Sequence, residues 1–187
     1  MSGLPLQLVD PFRQASLGAE YQGELSFDKM PRLRALLVEQ TEGSVRYRLR
    51  FSQPGSRRYC LEGEVETLVS LPCQRCFRPS PHQVEGRFCF ELVETEAQVD
   101  LVEDGCEALL VTDERISLVG LLEDEVLLGL PAIAVHDDIA ACEGSDWQQW
   151  MAQEQGKLLN ENAGDEDNPF AALAGLKDTL ASKEGKE

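Results

Sequence analysis

The chain is 187 residues long, and 34 Asp+Glu against 17 Lys+Arg give it a formal net charge of −17. That length supports one domain with a proper core, and 42% hydrophobic residues fit a folded chain rather than a disordered one. The acidity excludes a generic phosphate-gripping surface and docking on an anionic membrane, since both depend on Lys and Arg.

The charge is uneven along the chain. Residues 1–90 carry 12 Lys+Arg and 10 Asp+Glu, a balance of +2, whereas residues 91–187 carry 5 and 24, a balance of −19. A solvated acidic surface is the common cause of such a half. The sharper reading is that each half meets a different partner.

In chain order, residues 1–17 contain Pro5 and Pro11 without a clear period and read as an extended lead-in. Residues 18–27 suit a first strand. Asp28 is placed to cap a short helix over 29–37, whose Leu33, Leu36 and Leu37 lie at helical spacing behind Pro31. Over 44–51, Val45, Tyr47, Leu49 and Phe51 alternate with Arg46, Arg48 and Arg50, which puts apolar and basic residues on opposite faces of a strand. A turn at 53–56 leads to a long strand over 57–71, and a Cys/Pro-rich knuckle over 72–81 to a third over 82–93. An acidic loop over 94–107 precedes one short strand over 107–112. A helix is predicted from near Ser117 to Leu128, ended by Pro131. Residues 137–167 read as a mobile acidic segment. Asn168 then caps a short helix with Pro169 at its first position and Phe170, Leu173, Leu176 and Leu180 on one face. Alone in water that helix is marginal, so it must dock on the domain or on a partner.

The predicted architecture is α+β: an antiparallel β-meander or barrel-like sheet with a few helices. It divides as a domain over 1–150, a flexible acidic linker over 151–167 and a helical tail over 168–187. No stretch approaches the ~18 apolar residues of a membrane span. The opening residues lack the basic and apolar regions of a secretory leader, so the predicted location is cytoplasmic. The six cysteines are expected as reduced thiols, because a chain of this size needs no staples.

Cys73-Gln74-Arg75-Cys76 is a C-x-x-C between two strands, the spacing at which two thiolates of a tight turn share a tetrahedral zinc ion. A closed site needs two more ligands, and His136 and Cys142 are the candidates. The competing reading is two ordinary turn cysteines and a hydrogen-bonded histidine. A thioredoxin-like role is disfavoured by Pro79 and Pro81 and by the lack of a βαβ pattern. Arg46, Arg48, Arg50, Arg75 and Arg78 are the candidate RNA contacts. The alternative is that such arginines pair across strands with Glu62, Glu64 and Glu66. No nucleophile elbow, phosphate loop, dinucleotide fingerprint or H-E-x-x-H is present, so no enzyme and no small-molecule substrate are predicted.

Four segments recur together in a recognisable order. They are Leu71-Pro72-Cys73-Gln74-Arg75-Cys76; Leu122-Glu123-Asp124-Glu125-Val126-Leu127-Leu128; Leu130-Pro131 with His136-Asp137 and Cys142; and Asn168-Pro169-Phe170-Ala171 with Leu173, Leu176 and Lys177. With the opening Leu6, Leu8, Asp10-Pro11 and Tyr21-Gln22-Gly23, this set resembles the large ribosomal RNA subunit accumulation protein family, YceD, over most of the chain. The resemblance implies a ribosome-biogenesis role in synthesis, processing or stability of 23S ribosomal RNA, with no catalytic residue to carry over. Some relatives have a second cysteine cluster where this chain has His136 and Cys142.

Two functions are therefore expected to compete. In the first, a non-catalytic factor binds 23S rRNA or its precursor, or a basic ribosomal protein or assembly factor. Glu123, Asp124, Glu125, Asn168, Pro169, Phe170, Leu173 and Leu176 are then its partner-docking candidates. The second is a zinc-stabilised protein-interaction adaptor without RNA contact.

Overall fold

The computed structural model describes residues 8–38, 41–55, 58–102, 105–142, 149–151 and 153. Asn168, Pro169, Phe170, Leu173 and Leu176, with nearly all of 143–187, lie outside the described residues.

Met1–Asp137 is a compact unit built on five strands: β1 Glu20–Ser26, β2 Ser44–Ser52, β3 Cys60–Pro72, β4 Pro79–Val93 and β5 Glu107–Leu110. They stand in the spatial order of the chain. β1 to β4 form the antiparallel meander that the alternation predicts. β5 instead adds in parallel to the far edge, so the sheet is open and the expected barrel-like closure does not occur. The parallel return follows from the connection, which crosses back through a short helix, α3 (Glu96–Val99), and so enters β5 in the direction of β4. Thr95 and Gln98 close a capping box on α3, within the segment expected to be a loop.

Register also explains a disulfide that the cysteine count did not lead one to expect. Phe90 lies opposite Glu107, which sets Cys106 beside Cys89, and the two are bonded. The expectation that all six cysteines are reduced is corrected at this pair.

One face of the sheet is apolar. Val45, Tyr47, Leu49, Phe51, Leu61, Val65, Val69, Leu71 and Val84 are buried there. They join Leu118, Leu122 and Val126 of the helix α4 (Leu118–Leu128) in one core. The last three recur every four residues, which is one side of a helix. Ser117 caps α4, its hydroxyl accepting from the Gly120 N–H at 3.0 Å. Gly63 stands opposite Phe88 on β4, and a Cβ there would meet the ring at 2.0 Å, so only glycine lets that ring lie flat over the strand.

Two helices depart from expectation. α1 (Pro11–Leu17) occupies what reads as an extended lead-in, although its signals are all present. Asp10 accepts from the Arg13 N–H at 3.0 Å, Pro11 takes the first helical position, and Gly18 closes the C-terminus at φ +60°. α2 (Pro31–Leu36) is not capped by Asp28, which lies in a preceding 3-10 turn over Phe27–Lys29. Its cap comes from 90 residues away. The Glu123 carboxylate accepts from the Arg32 N–H at 2.7 Å and the Leu33 N–H at 3.1 Å. Helices normally find this acceptor in the adjoining residue, but any buried carboxylate at the same point satisfies the orphan N–H groups.

In the unit Asp138–Glu187, a 3-10 turn spans Ile139–Cys142, and a helical stretch covers 149–151 and 153. No helix among the described residues is long and apolar enough to cross a membrane.

Candidate metal centre and the charged sheet face

The β3–β4 hairpin ends in the predicted knuckle. Pro72 and Pro79 are its last paired residues, and Cys73 to Arg78 turn between them. The Cys73 N–H donates to the Arg78 carbonyl at 2.9 Å and the Phe77 N–H to the Cys73 carbonyl at 2.8 Å, which winds the loop tightly around the Cys73 side chain. Phe77 takes φ +60°, a conformation that costs a non-glycine residue energy, and its ring is 80% exposed.

The segment after α4 lies against this loop. The Gln74 N–H donates to the Ala134 carbonyl at 2.8 Å, and the Arg75 guanidinium donates to the His136 carbonyl. These bonds bring His136 to the knuckle. Its Nε2 is 3.0 Å from the Pro79 carbonyl oxygen. A carbonyl only accepts, so Nε2 carries a proton and Nδ1 is the ring nitrogen turned to the knuckle. Nδ1 lies 3.6 Å from the Cys76 Sγ.

Cys142 follows six residues along the chain from His136. The ligand atoms of Cys73, Cys76, His136 and Cys142 all lie within 4.8 Å of one another, with Cys73 and Cys142 buried. None of the three thiols is in a disulfide. Burial alone pushes the Cys73 thiol up. The N–H groups of Cys76, Arg75 and His136, with the Cys76 side chain, outweigh burial and hold it at about 5 against an ordinary 9. The cluster can therefore hold a metal ion. The four residues singled out in the sequence are the four brought together. The Pro79 carbonyl that orients the imidazole was not foreseen, because only the pairing of β3 with β4 places it there.

The sheet face turned away from the core carries the charged residues in register. Glu20, Arg50 and Glu62 form one row, Gln22, Arg48, Glu64 and Arg87 the next, and Glu24, Arg46, Glu66 and Glu85 a third. Each arginine meets a glutamate: Arg46 and Glu66 at 2.8 Å, Arg48 and Glu64 at 3.7 Å, Arg50 and Glu20 at 3.6 Å, Arg87 and Glu64 at 3.4 Å. The rows hold four arginines against six glutamates, so the local balance is −2. Arg75 and Arg78 do not share this face. They sit in the knuckle, six residues along β3 from Glu66, roughly 20 Å at the rise of a strand.

Of the acidic trio on α4, Glu123 is 4% exposed and turned inward to α2, where the Arg32 Nε also donates to it at 3.0 Å. Asp124 receives the Arg32 Nη1 at 2.5 Å and keeps half its surface in solvent. Partial burial, followed by the charges of Glu107 and Asp124, raises the Glu125 carboxyl above the usual range.

The family model described as "Large ribosomal RNA subunit accumulation protein YceD" matches residues 61–177, a span that contains the knuckle, α4, His136 and Cys142. A curated protein of Haemophilus influenzae bearing that name is 32% identical over 175 residues, covering 93% of this chain and 96% of the relative. No solved structure matches the chain. With the ordered motifs, the knuckle and a match across nearly all of both sequences, the chain belongs to the large ribosomal RNA subunit accumulation protein family, YceD.

Proposed function

We propose that this protein supports accumulation of large-subunit ribosomal RNA as a non-catalytic cytoplasmic factor, and that it engages a basic protein of the assembling subunit before it engages RNA. The relative's name supplies the process. The observation that carries the choice of partner is the pairing of Arg46, Arg48, Arg50 and Arg87 with glutamates on the open sheet face. An arginine already facing a carboxylate releases few counterions on meeting a phosphate, and counterion release dominates nucleic-acid affinity. Proteins that bind ribosomal RNA carry the opposite charge. The −19 of residues 91–187 attracts them and speeds encounter. The 168–176 segment, with Phe170, Leu173 and Leu176 at helical spacing, supplies apolar anchors. Arg75 and Arg78 in the knuckle leave room for a local RNA contact once the partner is seated.

The test is capture from lysate on the full-length chain at about 50 mM and about 200 mM salt, with and without ribonuclease. Basic large-subunit proteins should be recovered at low salt, be reduced at the higher salt and survive ribonuclease. Recovery that vanishes with ribonuclease would put RNA first, and recovery of neither class would overturn the reading.

A further inference from the structure

We propose that the free edge of β1 is a docking strand for an extended basic segment of a protein partner, which joins the sheet as a further strand and sets lysine or arginine against Glu20 and Glu24. This gives the basic partner proposed above a place on the fold, and rests on that reading for the partner's class. The sheet has two edges, and they are built differently. β5 is four residues long, α3 lies against it, and Cys106 just ahead of it is bonded to Cys89. β1 is seven residues long, pairs with β2 in unbroken register and, among the described residues, has no strand on its other side. Lysine, proline and bulges are the usual means of keeping an edge from pairing with another chain, and β1 has none of them.

The backbone of that edge is open to a partner. Just before β1 the Ala19 carbonyl accepts from the Phe51 N–H at 2.9 Å, and just after it the Phe27 N–H donates to the Gly43 carbonyl at 3.1 Å. Hydrogen-bonded pairs alternate along an antiparallel ladder, so Tyr21, Gly23 and Leu25 bond inward to β2. The N–H and C=O groups of Glu20, Gln22 and Glu24 therefore point away from β2, and no backbone group among the described residues meets them. An added strand satisfies them with main-chain bonds that ask nothing of its sequence.

The side chains supply the selection. Behind the edge, β2 sets Arg50 opposite Glu20, Arg48 opposite Gln22 and Arg46 opposite Glu24. A residue directly opposite on a new strand lies on the same face, so the alternation of charge continues with a cation against Glu20, another against Glu24 and a polar residue between them against Gln22. The two glutamates are exposed and stand about 13 Å apart at the rise of a strand, which is the span of residues i and i+4 in an extended segment. On the other face, Tyr21 and Leu25 meet the intervening residues of the guest, which are therefore apolar. A second copy of this chain suits the edge poorly. Pairing β1 with itself gathers four carboxylates with no cation on either strand, and joins two chains of −17 each.

The probe is the end-blocked peptide Val-Lys-Val-Thr-Val-Lys-Val, titrated into the full-length protein at about 50 mM salt while amide exchange is followed by NMR. Exchange at Glu20, Gln22 and Glu24 should slow at least about tenfold, while Tyr21, Gly23 and Leu25, already bonded to β2, change little. The same peptide with glutamate for both lysines should protect none of them. Gln22→Pro removes an outward N–H and no bond to β2, so the fold should persist while peptide affinity falls about fivefold or more. Should circular dichroism show that variant unfolded, Glu20→Gln combined with Glu24→Gln decides instead, by losing the preference for the lysine peptide. Protection confined to other residues, or equal protection by both peptides, would overturn the proposal. So would edge amides already protected in a chain that sediments as a dimer, which assigns the edge to a second copy, and so would protection by a single-stranded RNA oligomer alone. In the capture experiment, a folded Gln22→Pro chain that still takes basic large-subunit proteins overturns this docking mode and leaves the partner class standing. A parent chain that takes none overturns the partner class, and the peptide titration still decides the edge.

Discussion

The same chemical group does opposite things on the two sides of this sheet. On the outer face, Glu62, Glu64 and Glu66 stand in water among arginines. On the packed side, Glu123 is nearly closed off from solvent and accepts two backbone N–H groups of α2 and the Arg32 side chain. An exposed ion pair is screened and gives back much of its Coulomb energy as lost side-chain entropy. A buried carboxylate is costly to desolvate, and it is tolerated only because every bond it makes satisfies a group that would otherwise be orphaned. The density of charge therefore says little about where charge holds the fold together.

Substitution at Glu123 breaks this contrast most sharply. Glu123→Ala should lower stability by about 2–4 kcal/mol, since two α2 N–H groups lose their acceptor and a void opens beside Leu33. Urea unfolding followed by circular dichroism measures it, and a loss under about 1 kcal/mol would mean that water replaces the carboxylate at no cost.

The outer face should respond far less. Arg48→Ala, Glu64→Ala and the double variant form a cycle whose coupling energy is expected at about 0.2–1 kcal/mol, shrinking as salt rises. A coupling above about 2 kcal/mol would show that the row containing Gln22, Arg48, Glu64 and Arg87 acts as a rigid network.

The smallest effect concerns pH. Glu125 holds its proton more tightly folded than unfolded. The folded state thus binds the extra proton, and stability falls as pH rises from the unfolded carboxylate value through the raised one. Glu125→Gln should remove that loss, so the variant melts slightly higher than the parent at neutral pH and equally at pH well below the carboxylate range. A variant that melts lower at neutral pH would show that the charge is stabilising instead.

Several of these features were readable before any coordinates. The alternation of Val45, Tyr47, Leu49 and Phe51 with three arginines assigned both faces of β2, because a strand's period of two is a local property. The C-x-x-C with His136 and Cys142 named the metal-capable set from residue type alone. Asp10-Pro11 with Gly18 was equally legible as a helix and reads as a lead-in only if Pro11 is taken as a breaker rather than a first-turn residue. Other features had no local signal. The cap of α2 comes from Glu123, and sequence separation conceals it. The parallel direction of β5 depends on how the chain returns after α3, and the Cys89–Cys106 bond follows from that register alone.

Local periodicity thus determined, from sequence alone, the strands and the main helix, because both depend on neighbours a few residues apart, whose geometry the backbone dictates. Residue chemistry named the candidate ligands, and the ordered motifs carried the resemblance to the family. Tertiary structure alone decided that the arginines are paired, that one acid of three on α4 is internal, and that the imidazole presents Nδ1 rather than Nε2. Each of these depends on groups tens of residues apart, brought to within a hydrogen bond by the sheet register and by the burial of α4. Among the described residues the acids therefore fall into two populations: those at the surface, set by composition, and one buried carboxylate, Glu123, whose place only the packing of α2 on α4 defines.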